Sequence, residues 1–282
     1  MILLTMVLTK YALLHSFEYN FISLNRFILL AISIIFTTAA GYVINDIFDI
    51  ETDLINKPQK TYISKIISLK NGRILYFILT VFAGVIAFSF SIKPIHYVLF
   101  FGTPILLFLY SKYFKRTLFV GNLIVSILVP LPIYMVYLID FIPFKTNVST
   151  FDNPIYYATY FYLVFAFLTT LIREIIKDIE DVNGDLKINA KTLPIVFGRK
   201  RTKNVAFFFT VILLIFLILI IRNITYAVIP LIYSLLFLLL PLLYFVCKLW
   251  FAKGKKDYSK LSGFMKIIMF FGILSMLLFR II

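Results

Sequence analysis

The 282-residue chain holds a single cysteine, Cys247, and only two histidines, His15 and His96. One cysteine excludes an intramolecular disulfide and any cysteine-built metal site. Both histidines fall at expected outer ends of helices, on the side opposite the acidic motifs, and read as helix-end polar groups rather than catalytic bases. Charge is scarce as well: 15% of residues are Asp, Glu, Lys or Arg, against about 25% in soluble globular proteins. Acids are the rarer sign, 13 against 28 basic residues. No A-x-A-like cleavage site follows a short apolar stretch, so residues 1–14 are expected to be part of a helix rather than a removed signal peptide. The D-G-x-x-A-R run of phosphatidyltransferases that use CDP-alcohols is also missing.

What the chain has in excess is hydrocarbon. It is 62% hydrophobic, with a mean hydropathy of +0.99. Apolar runs long enough to cross a bilayer, roughly 17 to 25 residues each, recur along the whole length. The expected spans are 1–17, 21–44, 74–90, 95–110, 118–139, 155–172, 205–221, 226–250 and 264–282. They predict an all-α, polytopic membrane protein: nine transmembrane helices around a central cavity, in one integral domain over 1–282, with two Asp-rich cytoplasmic loops. The net charge of +15 does not require nucleic acid, because Lys and Arg accumulate in cytoplasmic connections. Four connections, 45–73, 111–117, 173–203 and 248–266, hold 22 of the basic residues, and the alternating connections with the C-terminus hold five. The expected placement is the cell membrane, with the N-terminus and both acidic segments cytoplasmic and the C-terminus outside. The run KGKKDYSK, 253–260, reads as a topology anchor or a contact for membrane lipid headgroups.

The few acids are concentrated. Four lie in 46–53 and five in 174–185, and each cluster contains the pattern D-x-x-D-x-x-x-D: Asp46, Asp49 and Asp53, then Asp178, Asp181 and Asp185. On a helix, offsets of 0, 3 and 7 fall within roughly 60° of arc, so each triplet presents three carboxylates on one face. Glu51 and Glu180 fall off those faces. Gly184, after Asn183, is expected to end or bend the second helix and to leave Asp185 on a turn. Six carboxylates on two elements need counter-charge, and Mg²⁺ uses one or two carboxylates together with waters and substrate phosphates. The expected metal ligands are therefore all six aspartates, with Asp49, Asp53, Asp181 and Asp185 as the catalytic core. The substrate head is then a diphosphate, contacted by Lys115, Arg116, Arg173 and Lys177. Asn45 is a ligand or a diphosphate donor; Asn122 is a cavity amide or an interhelical hydrogen bond. A metal-bound diphosphate at the mouth of a membrane cavity calls for a hydrocarbon tail, which an isoprenyl diphosphate provides. The second substrate is then a lipophilic acceptor, and no obligate protein partner is implied. A cation transporter is the alternative of another class, although it should carry acids at mid-depth rather than at one face.

Several segments resemble the UbiA superfamily of membrane prenyltransferases: NDIFDIETDLINKP from Asn45, YSKYFKR ending at Arg116, Gly121-Asn122, REIIKDIEDVNGD from Arg173, and KTLPIVFG from Lys191. The resemblance implies nine transmembrane helices and two Asp-rich loops. It implies that Asn45, Asp49 and Asp53 with Asp178, Asp181 and Asp185 hold Mg²⁺ and diphosphate, and that Lys115 and Arg116 contact the diphosphate. LINKP together with TLPIVFG looks most like the geranylgeranylglycerol-phosphate geranylgeranyltransferase branch. That branch implies geranylgeranyl transfer to geranylgeranylglyceryl phosphate in ether-lipid synthesis. Prenylation of an aromatic acceptor, such as a naphthoate in quinone biosynthesis, is the alternative within the family. Where many relatives continue Asn-Lys-Pro with Arg-Pro, this chain has Gln59-Lys60-Thr61.

Overall fold

The computed structural model describes residues 1–15, 22–56, 59, 61–91, 93–140, 154–224 and 227–280. In chain order the helices are α1 (Ile2–Leu8, continued by a π-helical turn Thr9–Leu14), α2 (Leu24–Phe48), α3 (Ile50–Asn56), α4 (Leu69–Phe88), α5 (Pro94–Lys112), α6 (Val120–Leu128) and α7 (Leu131–Asp140). They continue with α8 (Pro154–Lys187), α9 (Leu193–Phe197), α10 (Arg199–Asn223), α11 (Val228–Tyr233), α12 (Leu240–Phe251) and α13 (Lys255–Leu274). No β-sheet occurs among the described residues. Among the described residues, eight helices or helix pairs are long and apolar enough to cross a bilayer, and the first expected span coincides with the shorter helix Ile2–Leu14. Surface positions such as Phe77, Val85 and Phe88, each about two-thirds exposed, leave apolar area suited to face lipid.

The chain folds as two compact units. The first comprises residues 22–124 and 181–196. Here α2 lies against α4 and α5, and small residues set the spacing. Ser33 donates to the Ala83 carbonyl at 2.9 Å, and the hydrogens of Gly41 face the Leu107 side chain where a Cβ would stand 3.0 Å from it. Close approach through small side chains is what packs helices in lipid, where burial of apolar area supplies no net driving force.

The second unit comprises residues 1–21, 125–180 and 197–282. Leu8, Ala12 and Leu13 of the first helix join Ile133, Tyr162 and Met276 in one buried cluster. Beside it lies an ion pair that sequence reading did not anticipate: Lys10 Nζ donates to Asp140 Oδ2 at 2.9 Å, and the two side chains are 1% and 0% exposed. A charge at such a site is tolerated only in company. Asp140→Leu leaves the Lys10 ammonium buried without its carboxylate and is expected to destabilise the fold by about 3–5 kcal/mol. A double Lys10→Met, Asp140→Leu variant should recover most of that loss, read as the thermal midpoint in detergent.

Pro130 separates α6 from α7, and the break opens an apolar cavity of about 330 Å³ in this unit, lined by Ile127, Leu131, Tyr134, Leu163 and Phe167 among others.

Candidate active site

The first acidic motif straddles a helix break. α2 ends at Phe48, and Asp49 adopts φ −96°, ψ 1° before α3 begins. Helical pitch nevertheless carries across, because Asp49 N–H donates to the Asn45 carbonyl at 2.9 Å and Asp53 N–H to the Asp49 carbonyl at 2.8 Å. Asp46, Asp49 and Asp53 thus remain neighbours, and Asp46 lies within electrostatic reach of both other carboxylates and of Lys115. Asp49 is buried, at 6% exposed, whereas Asp46 is exposed.

Such a carboxylate needs a partner, and it has two. Asn45 Nδ2 donates to Asp49 Oδ2 at 2.6 Å, and the Lys115 ammonium donates to the same oxygen and, at 3.3 Å, to Asn45 Oδ1. Lys115 belongs to a short 3₁₀ turn, Phe114–Arg116, between α5 and α6. Arg116 Nη2 donates to the Phe48 carbonyl at 3.4 Å, which satisfies an end of α2. Gly121 sets the height of this turn: a Cβ there would stand 2.7 Å from the Phe114 carbonyl oxygen and 3.1 Å from Lys115 Cα. Both are backbone atoms, so a side chain must push the turn away. Gly121→Val is therefore expected to lower turnover by at least about tenfold, since small misplacements of charge-bearing groups cost rate steeply. Gly102→Ala, with open space around its Cβ, serves as the control that should not.

The second motif lies on α8, which runs unbroken through Asp178, Asp181, Gly184 and Asp185. The expectation that Gly184 ends or bends this helix is wrong. Gly184 is buried within the helix, which ends three residues later at Lys187. Asn189 takes the left-handed conformation at φ 52°, Ala190 N–H donates to the Asp185 carbonyl at 3.0 Å, and Asn189 N–H donates to the Leu186 carbonyl at 3.2 Å. This pair of bonds is a Schellman cap, and asparagine is the commonest residue after glycine to accept its backbone conformation. Asp185 accordingly projects from the helix in phase with Asp181, not from a turn. The helical spacing on which both motifs were read is kept, although the first crosses a break at Asp49.

Two further contacts bring the motif segments of the first unit together. Lys191 N–H donates to the Arg116 carbonyl at 2.9 Å, and Thr192 Oγ1 donates to Asp185 Oδ2 at 3.5 Å. The 3₁₀ turn is thereby tied to the Asp49 carboxylate on one side and to the segment following Asp185 on the other. Sequence reading assigned no contact to Lys191 or Thr192, although both stand in the KTLPIVFG motif. Asn122 is buried at 6% exposed in the first turn of α6.

The remaining expected residues lie earlier on α8: Arg173, Lys177 and Asp178. With helical spacing, Lys177, Asp178, Asp181 and Asp185 share an arc of about 100°. Arg173 Nη1 donates to the neighbouring Glu174 carboxylate. His96 is buried, with Nδ1 3.0 Å from the Phe90 carbonyl, in keeping with a helix-end polar group.

Among the described residues, no three His, Cys, Asp or Glu side chains are gathered tightly enough to enclose a metal ion by themselves. The donor set nonetheless suits a hard cation that keeps waters and phosphate oxygens: carboxylates and an amide oxygen, with an ammonium beside them.

The structure defines a helical membrane protein whose acidic motifs are joined through a basic turn, and comparison specifies its class. The model of the UbiA prenyltransferase family matches residues 3–274. The chain belongs to that family and is a multi-pass membrane enzyme of the prenyltransferase class. Two similar proteins are the digeranylgeranylglyceryl phosphate synthases of Methanobrevibacter smithii and Methanosphaera stadtmanae. The first is 36% identical over 64% of this chain and 61% of its own length, less than two thirds of that relative. The second is 33% identical over 93% of this chain and 88% of its own length. Among solved structures, one described as a digeranylgeranylglyceryl phosphate synthase in membranes superposes with a TM-score of 0.70 at 26% identity, covering 98% of this chain and 90% of that one. A UbiA homologue from Archaeoglobus fulgidus bound to GPP and Mg²⁺ shares the fold, with a TM-score of 0.62 at 15% identity over 98% and 96% of the two chains.

Proposed function

We propose that this chain, acting as one membrane domain, transfers a prenyl group from an isoprenyl diphosphate to a lipophilic acceptor with Mg²⁺. The best-supported reaction is geranylgeranyl transfer to geranylgeranylglyceryl phosphate. The observation that carries the proposal is the basic turn bonded to Asp49 and to the segment that holds Asp185. The names of the relatives support the substrates.

In this reading the C1–oxygen bond of the donor breaks with its electron pair leaving on the diphosphate, and the acceptor hydroxyl oxygen bonds to C1 while its proton passes to a diphosphate oxygen. Bound Mg²⁺ supplies positive charge against the departing diphosphate. Asp49, Asp53, Asp181 and Asp185, joined by Asp46 and Asp178, are the residues that hold it. Asn45 fixes the Asp49 carboxylate through their 2.6 Å bond. Lys115 and Arg116 offer charge to the diphosphate, and Arg173, Lys177 and Asn122 complete donor binding. The enzyme lies in the cell membrane, N-terminus and acidic segments inside and C-terminus outside.

The test is purified protein in nanodiscs with Mg²⁺, geranylgeranyl diphosphate and either geranylgeranylglyceryl phosphate or a naphthoate, with products identified by mass. Prenylated glyceryl phosphate is expected. Product from the naphthoate alone would move the enzyme to the aromatic-acceptor reading. No product from either, together with cation flux into liposomes lacking any prenyl donor, would favour a transporter.

A further inference from the structure

The run KGKKDYSK takes no part in the chemistry above, and in the second unit it has company. Lys203, in the first turns of α10, donates from Nζ to the Trp250 carbonyl at 2.8 Å and to the Ala252 carbonyl at 3.5 Å. That bond brings the start of α10 beside the connection between α12 and α13. Arg199 also lies within electrostatic reach of Tyr258 on α13. Arg199, Lys200 and Arg201 are consequently gathered with Lys253, Lys255 and Lys256, and all six are exposed. Asp257, the acid within the 253–260 run, is engaged by the backbone: its Oδ2 accepts from the N–H groups of Lys253 and Gly254, each at 3.0 Å.

The fold gains little from this arrangement. Six like charges repel one another, and those in the first turns of α10 and α13 oppose the helix macrodipole, which favours acids there. A charge distribution that works against its own protein is explained by an anion outside it. The same end of the molecule also exposes aromatic rings. Trp250 is 62% exposed and Phe251 74%, at the last turn of an otherwise apolar membrane helix, where such rings sit at headgroup depth.

We propose that this basic and aromatic patch is a binding surface for anionic phospholipid headgroups. Lysines and arginines take the phosphate charge while Trp250 and Phe251 enter the interface.

Trp250 is the only tryptophan in the chain, so its fluorescence reports on this patch and on nothing else. The intact protein is reconstituted in vesicles in which brominated phosphatidylglycerol or brominated phosphatidylcholine is present at the same mole fraction. Bromine quenches tryptophan only on contact. Quenching by the anionic lipid is expected to exceed that by the zwitterionic lipid by about twofold. The excess should shrink with added salt, because the attraction is screened. Lys253→Gln, Lys255→Gln and Lys256→Gln together should remove it while leaving quenching by phosphatidylcholine unchanged; the three side chains are exposed, and the Lys253 N–H bond to Asp257 is a backbone bond that the substitution keeps. Equal quenching by both lipids overturns the proposal, as does an excess that survives the triple substitution. An excess abolished by millimolar inorganic phosphate at constant ionic strength also overturns it, since the patch would then bind free phosphate rather than a lipid surface.

Discussion

Asp49→Ala and Asp181→Ala are each expected to reduce product formation by at least about 10²-fold, several kcal/mol of lost stabilisation of the departing diphosphate. The two residues stand more than a hundred positions apart in sequence, one at the α2–α3 break and one on α8. Equal and severe losses would show that both act on one chemical event. The controls lie in the same segments: Glu51 and Glu180 fall off the acidic faces, and their alanine variants should keep turnover within about twofold. A general requirement for acidity would injure all four variants alike. Asp49→Asn separates charge from shape further, because an amide preserves a bond with Asn45 but not the anionic ligand. Turnover is measured as prenylated product per protein after size exclusion has confirmed a folded sample. Full turnover in both aspartate variants would remove the metal assignment.

Local periodicity explains why the acidic motifs were legible. Three aspartates at helical spacing describe one face whatever surrounds them, and both segments are helical. The terminus of α8 was misread from the sequence because Gly184 carries the stronger general signal. A glycine costs a helix interior only about 1 kcal/mol relative to alanine, and helix packing tolerates that. The deciding signal was Asn189, able to enter a left-handed conformation where a Schellman cap forms. Contacts across long separations left no local trace. Lys10 and Asp140 are 130 positions apart, and nothing in either neighbourhood names the other. A lysine inside an apolar span does imply some buried partner, and that much could be read. Likewise Lys115 was legible as a cation near the site but not as the partner of Asp49, because the sequence does not say which anion it meets when no substrate is present.

That partnership makes Lys115→Met the more discriminating variant. In the structure the ammonium neutralises a buried carboxylate that the proposed function assigns to Mg²⁺, and Asn45 braces both groups. Cation and ammonium therefore compete for one oxygen, and diphosphate would release the competition by offering Lys115 a better anion. With methionine in place, Asp49 loses its internal counter-charge while the site loses a diphosphate ligand. Affinity for Mn²⁺ as a Mg²⁺ analogue, measured without prenyl donor by electron paramagnetic resonance, is expected to rise by roughly tenfold, about 1.4 kcal/mol. The KM for the prenyl diphosphate should rise by a similar factor. In the unaltered protein, metal binding should tighten when inorganic diphosphate is added, and in Lys115→Met that coupling should weaken. A role in packing alone predicts a different outcome: both affinities fall together as the turn at Phe114–Arg116 loosens. Opposite movement of the two constants is the signature of a lysine that shares the Asp49 carboxylate with the metal.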